Sequence, residues 1–263
     1  MLNRLKKIIS LSLFDQLIFR WQQLQYGYSN FQYRKKHPGI AFPDDYTLYE
    51  SYVLDYQKFI EDGELTTHEI WESVQQYLPN SPTILDWGCG PSRITRHLQK
   101  LTPSANIFAS DPNIDTIVWN QKHIPGVHFK VQEAYPPLPF EDAYFDLVIG
   151  FSVLTHIASD DQQKWIDELN RITKSNGIIW ITTHGNHFIK KLSKQQQQQI
   201  QSEGIYNTPF SKKGHRMMST YHLPEKLKTT LAEKFEILEY WDGELHPKKA
   251  GKQDLWILRK KKV

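Results

Sequence analysis

Thr83-Ile84-Leu85-Asp86-Trp87-Gly88-Cys89-Gly90-Pro91-Ser92-Arg93 is the stretch that decides the fold. An apolar pair, Ile84-Leu85, ends in a carboxylate, Asp86, and two glycines follow at alternate positions. Ser92, Ile94, Thr95, His97 and Leu98 then read as a helix. A buried strand, a glycine turn and a helix N-terminus in that order form a nucleotide-type pocket at the carboxyl edge of a parallel sheet. Glycine suits Gly88 and Gly90 because a Cβ would hold the backbone away from a ligand.

Outward from this stretch, a second apolar run, Ile107-Phe108-Ala109-Ser110, ends in Asp111, 21 residues after Gly90. An acid there is placed to take both hydroxyls of a ribose. Arg93 stands where a dinucleotide fingerprint has its third glycine, which argues against a pyrophosphate. A ribose-binding carboxylate without a pyrophosphate seat fits S-adenosylmethionine. Here the chain resembles the class I S-adenosylmethionine-dependent methyltransferases, whose first motif is an apolar pair, an acid, one residue, Gly, one residue, Gly.

Further stretches carry the resemblance over about residues 45–260. Pro136-Pro137-Leu138-Pro139-Phe140 is similar to a turn of that family. Asp146-Leu147-Val148-Ile149-Gly150-Phe151-Ser152-Val153-Leu154-Thr155-His156-Ile157 is similar to its fourth strand and following loop. Arg171-Ile172-Thr173-Lys174-Ser175-Asn176-Gly177 departs from the family's Pro-Gly only at Ser175 and Asn176. The resemblance implies that Asp86 orients the methionine amino end and that Trp87, Gly88, Cys89 and Gly90 form the turn around it. It places Asp111 on the ribose, with Pro112 and Asn113 beside the ribose or adenine and Gln132 and Glu133 at the adenine edge. Phe151 and Ser152 fall at the methyl end.

Apolar runs alternating with helical patterns from residue 83 predict a Rossmann-like, doubly wound, mostly parallel seven-stranded sheet. Phe235–Tyr240 and Asp254–Leu258 are expected to close it as an antiparallel C-terminal hairpin, and additional helices precede the sheet. The expected organisation is an N-terminal segment, 1–44, of basic amphipathic helix and aromatic linker, then a methyltransferase domain, 45–263. Within the latter, 184–222 is an insertion read as a substrate lid, because loops at this edge carry specificity. The five-glutamine run Gln195–Gln199 inside it reads as an exposed helix face.

The chain has 263 residues, 39% of them hydrophobic, and a single cysteine, Cys89. One cysteine excludes an internal disulfide framework and suggests a reducing, cytoplasmic compartment. Nothing in the sequence supplies Cys89 with a base, so no nucleophilic role is assigned to it. The net charge of +3 hides a segregation: residues 1–36 and 248–263 each carry seven Lys/Arg against one acid, leaving −9 between them. No basic stripe interleaved with aromatics occurs inside the body, so nucleic acid is not an expected partner.

Leu2, Leu5, Ile9, Leu13, Leu17, Trp21 and Leu24 have helical spacing. With Arg4, Lys6, Lys7 and Arg20 they suit peripheral membrane contact through 2–24. A helix packed on its own domain or on a partner, or a disordered segment, fits as well. Asp15, Gln16 and Arg20 rule out a membrane span, and no small-residue cleavage site marks a signal peptide. Residues 26–50 read as an aromatic, Pro-punctuated connection in which Asp44 or Asp45 caps the next helix. That helix is expected over 46–61, broken at Asp62-Gly63 and followed by another over 65–78.

Methyl transfer to a hydroxyl or amine needs alignment and, for a protonated acceptor, a base. His156, after the fourth strand, is the leading candidate, followed by His184 after the fifth strand and then His222. His184 and His187 alone, without an acidic or cysteine cluster, do not predict a metal. The expected activity is methyl transfer to a small molecule or saccharide. The alternative is a cofactor-binding partner subunit without catalysis, and a short-chain dehydrogenase is excluded by the missing Tyr-x-x-x-Lys pair. The acceptor atom and the oligomeric state are not legible.

Overall fold

The computed structural model describes residues 11–208, 218–246 and 250–262. The chain divides into two compact units, Met1–Glu64 and Leu65–Val263. The boundary between these units lies inside a helix.

In the first unit, α1 (Leu11–Lys36) is followed by α2 (Asp45–Ser51) and the start of α3 (Tyr56–Val74). Residues 2–10 of the expected basic helix lie outside the described residues. Helix α1 runs twelve residues beyond the expected end at Leu24. Tyr26 and Tyr33, read as part of a connection, belong instead to one apolar face with Ile18 and Phe19 that packs on Leu48, Tyr49 and Phe59. No proline stops the helix before Pro38. Asn30 locks the arrangement: its amide donates to Leu54 O (3.2 Å) and its carbonyl accepts from Tyr56 N (2.9 Å). The Asp44 carboxylate accepts from Tyr46 N and Thr47 N, both at 3.0 Å, and so caps α2. No break occurs at Asp62-Gly63; α3 passes through it. An interior glycine costs a helix about 1 kcal/mol, which burial of Phe59, Ile60, Ile70 and Val74 along the same helix offsets.

The second unit is built on β1 (Thr83–Trp87), α4 (Thr95–Leu101), β2 (Asn106–Asp111), α5 (Ile114–His123), β3 (His128–Val131), β4 (Phe145–Gly150), α6 (Gln162–Ile172) and β5 (Thr173–Thr183). After the insertion come α9 (Pro224–Lys234), β8 (Phe235–Trp241) and β9 (Asp254–Lys260). The insertion holds α7 (Asn186–Ile189), α8 (Lys194–Glu203) and a separate hairpin of β6 (Ile205–Asn207) and β7 (Thr220–His222); residues 209–217 of it lie outside the described residues. The glutamine run lies in α8, whose Ser193 and Gln196 form a capping box.

The main sheet has the order β3-β2-β1-β4-β5-β9-β8. Its first five strands are parallel, and β9 enters antiparallel between β5 and β8. Successive side chains in a strand face opposite sides. Leu85, Val148 and Ile179 join Trp165, Ile166 and Leu169 of α6 on one face. Ile84, Ile149, Ile178 and Trp180 join Ile70 and Val74 of α3 and Leu98 of α4 on the other. Both faces are covered, so the strands read as continuous apolar runs. From β1 the chain winds outward through β2 and β3 and then returns to β4 on the other side of β1. The reversal opens a crevice above the carboxyl ends of β1 and β4, where ligands bind in open α/β sheets.

Candidate active site

The turn after β1 is held by its neighbour strand. Gly88 N and Cys89 N both donate to Ser110 O, at 2.8 and 3.0 Å. Gly88 and Gly90 have φ of +70° and +48°, the left-handed region that glycine adopts without strain. At Gly88 the neighbour a Cβ would strike is Val153 Cγ2, at 2.6 Å. The constraint there is packing against the loop after β4 as well as the turn.

Asp111 is tied into the same turn. One carboxylate oxygen accepts from Gly90 N (2.9 Å), the other from Asn113 N (2.9 Å). Asn113 in turn caps α5 by accepting from Thr116 N. The carboxylate is half-buried at the sheet edge, and a backbone amide donates to each of its oxygens. Asp86 lies deeper. It is buried and accepts from Thr95 Oγ1, and burial raises its pKa to about 6 against the opposing influence of that hydrogen bond and of the Arg93 charge. The Asp111 charge pushes in the same direction as burial, so the two acids share one electrostatic neighbourhood.

Other residues expected around the cofactor also make contacts within the protein. The Trp87 ring is fully buried against Trp165, with centroids 4.9 Å apart, so only its backbone belongs to the turn. Cys89 is buried, and burial with the Asp111 and Asp86 charges holds its thiol well above the usual range; it is a packing residue. The Gln132 carbonyl accepts from Ser110 Oγ at 2.7 Å, pinning the end of β3 to β2. Pro112 and Glu133 are exposed.

Across the crevice, the loop after β4 is tied to distant strands. Ser152 N donates to Thr182 Oγ1 (2.7 Å), and Gln253 Nε2 donates to Ser152 Oγ (2.9 Å). Thr182 Oγ1 donates to Gln253 Oε1 (2.6 Å) and closes the ring. Thr182 carries no motif, Gln253 opens a stretch, Gln253-Asp254-Leu255-Trp256, that resembles the C-terminal end of the family, and neither was assigned a role at the site. Phe151 stacks on Trp180, and the Arg93 guanidinium lies 5.1 Å from its ring centroid. Arg93 Nη1 also donates to Thr66 Oγ1.

The three candidate histidines come together here. His156 Nδ1 is 2.8 Å from Met218 O, so Nδ1 donates and the basic lone pair of the neutral ring belongs to Nε2. His184 packs on Phe188 and Tyr221, and its Nδ1 is buried without a hydrogen-bond partner. Burial lowers its pKa to about 3, with smaller contributions from His156 and His222. His222 is buried with neither ring nitrogen hydrogen-bonded, and burial lowers its pKa to about 4. His184 and His222 are therefore neutral at physiological pH. Among the described residues no three His, Cys, Asp or Glu side chains gather as a metal would require.

Fold and edge together are similar to those of class I S-adenosylmethionine-dependent methyltransferases. Residues 85–181 match the family described as methyltransferase domain. An uncharacterized methyltransferase of Schizosaccharomyces pombe is 29% identical over 155 residues, which is 53% of this chain and 53% of the relative. A malonyl-[acyl-carrier protein] O-methyltransferase of Legionella pneumophila is 30% identical over 152 residues, 55% of this chain and 51% of the relative. The chain thus spans about half the length of the curated relatives it matches. Among solved structures, the Burkholderia thailandensis 1,6-didemethyltoxoflavin-N1-methyltransferase, with 1,6-didemethyltoxoflavin and S-adenosylhomocysteine bound, shares the fold at a TM-score of 0.54 and 18% identity, covering 85% of this chain and 92% of that one.

The donor set suits the cofactor of this class. A carboxylate at the end of the second strand, the place Asp111 holds, is chemically suited to a vicinal diol. A ligand carrying a sulfonium and an ammonium is complemented by two neighbouring acids, Asp86 and Asp111.

Proposed function

We propose that the chain transfers the methyl group of S-adenosylmethionine to a hydroxyl or amine of a small molecule or saccharide. The observation that carries the reading is the Asp111 carboxylate, locked by Gly90 N and Asn113 N at the switch point of the sheet. Asp111 accepts both ribose hydroxyls, Asp86 orients the methionine ammonium, and Asn113 and Gln132 flank the nucleoside. S-adenosylmethionine, when bound, supplies a methyl made electrophilic by its sulfonium. The protein's task is then alignment of the acceptor and removal of its proton.

His156 performs the second part. Its Nδ1–H to Met218 O fixes the tautomer, and Nε2 takes the acceptor's proton. His184, kept neutral by burial, is held against Phe188 and Tyr221 and shapes the acceptor side rather than carrying a proton. The insertion 184–222 serves as the substrate lid. An oxygen acceptor is supported by the Legionella relative, an O-methyltransferase by name.

Calorimetric titration with S-adenosylmethionine, followed by assay of S-adenosylhomocysteine release over a panel of hydroxyl, amine and saccharide acceptors, tests the reading. Micromolar binding with release on at least one acceptor supports it. Absence of binding, or binding with no release on any acceptor, overturns it.

A further inference from the structure

Helix α1 has two apolar faces, and among the described residues one packs in a buried cluster while the other is largely exposed. Ile18, Phe19, Tyr26 and Tyr33 pack within the first unit, where Asp15 accepts from Tyr49 Oη (2.7 Å) and Asn30 holds Leu54 and Tyr56. Leu13, Leu17, Trp21, Leu24, Tyr28 and Phe31 recur at steps of three and four residues, which places them on one stripe of the helix. All six are between 48% and 85% exposed. Isolated exposed apolar residues need no explanation, but a stripe along about 27 Å of helix does.

The charges say what covers it. The exposed ionised side chains of α1 are all cations, Arg20, Arg34, Lys35 and Lys36; the helix's one acid, Asp15, is buried on the other face. Lys35 follows Tyr28 by seven residues and Phe31 by four, so it sits on the stripe itself. A second copy docked stripe to stripe would bring these cations together with no exposed acid of α1 to pair them, and like charges meeting across an interface oppose it. An anionic lipid surface meets both features. The apolar stripe enters the headgroup boundary, Trp21 and Tyr28 are residue types favoured at that depth, and the long cationic side chains extend to the phosphates. No helix among the described residues is long and apolar enough to cross a membrane, so α1 would lie on the surface.

We propose that α1 binds the protein peripherally to an anionic membrane surface through the Leu13–Phe31 stripe. The test is co-sedimentation of the full chain with vesicles of phosphatidylcholine alone and of phosphatidylcholine containing phosphatidylglycerol. The expected result is pelleting with the anionic vesicles, little with the neutral ones, and release at high salt. Leu24→Asp combined with Tyr28→Asp should lower the bound fraction at least tenfold while the melting temperature stays unchanged. Should that pair disturb folding, Arg20→Gln with Lys35→Gln provides the second arm and should remove the preference for anionic vesicles. A wild-type chain that stays in the supernatant at every composition overturns the proposal. So does a dimer, seen in sedimentation velocity, that Leu24→Asp dissolves while vesicles leave the wild type unbound.

Discussion

The two sides of the crevice are built in opposite ways. On the side running from Asp86 to Asn113, fixation is local: Gly90 N and Asn113 N hold the carboxylate that lies between β2 and α5, and Ser110 O holds the turn. On the side running from Phe151 to His156, fixation is remote. His156 is held by Met218, Ser152 by Thr182 and Gln253, and none of these lies within 25 residues of its partner. Buried polar atoms without a hydrogen bond occur on both sides: Trp87 Nε1, Ser92 Oγ and both nitrogens of His97 along the first, and His184 Nδ1 with both nitrogens of His222 beside the second. A cofactor common to many proteins suits a self-contained turn; an acceptor particular to one protein suits parts borrowed from elsewhere in the chain.

If that division is right, damage to the two sides should separate binding from turnover. The largest effect is expected for His156→Ala, which should lower kcat about a thousandfold, within the range for loss of a general base, while the cofactor Kd measured by calorimetry moves less than twofold. Loss of cofactor binding in this variant would erase the distinction between the sides. Asp111→Ala should do the reverse, raising the Kd about a hundredfold, since hydrogen bonds to a charged group contribute about 1.5–3 kcal/mol each. A Kd change no larger than that of His156→Ala would remove Asp111 from the ribose.

Asp86→Asn sharpens the comparison through stability. The folded-state pKa of Asp86 is raised from 3.8 to about 6, so folding favours the protonated acid. That contribution is fully present below pH 4 and is lost as pH rises through 6. Each pKa unit is worth about 1.4 kcal/mol, so the unliganded variant should be about 3 kcal/mol more stable than wild type at pH 8 and nearly equal to it at pH 4, as measured by denaturant unfolding. Its cofactor affinity should fall at the same time, because the ammonium loses its counter-charge. Equal stability at pH 8 would show that the burial cost is met elsewhere. The smallest effect belongs to Gln253→Ala, which should cost turnover about tenfold with cofactor binding preserved, if the loop after β4 depends on its ring of hydrogen bonds.

The same contrast accounts for what could be read before the structure. Strand β1, the glycine turn, Asp111 and the alternating sheet pattern are short-range signals, and the structure reproduces them closely. Trp87 and Cys89 were placed correctly along the chain, but their side chains turn into the core; period-two alternation gives a face, and a residue at the strand end faces either core or crevice according to its neighbours. The continuous α1 was obscured because its tyrosines and phenylalanine resemble a loop's aromatics until their spacing is matched to Leu48, Tyr49 and Phe59. The pairing of Gln253 with Thr182 was invisible for a plainer reason: a hydrogen bond across 71 residues leaves no local trace.

One feature of the sheet has a consequence for synthesis on the ribosome. Strand β8 leaves the tunnel before β9, yet in the sheet it pairs with β9 alone, and β9 supplies the link to β5. Nascent β8 therefore waits with an unpaired edge until its successor arrives. Gln253, the residue just ahead of that successor, cannot reach Ser152 any earlier. The parallel strands and the turn that holds Asp111 all precede it in the chain, while the loop after β4 gains its Gln253 contact only with the last strand to emerge among the described residues. A nascent chain stalled before Asp254 would hold half a crevice.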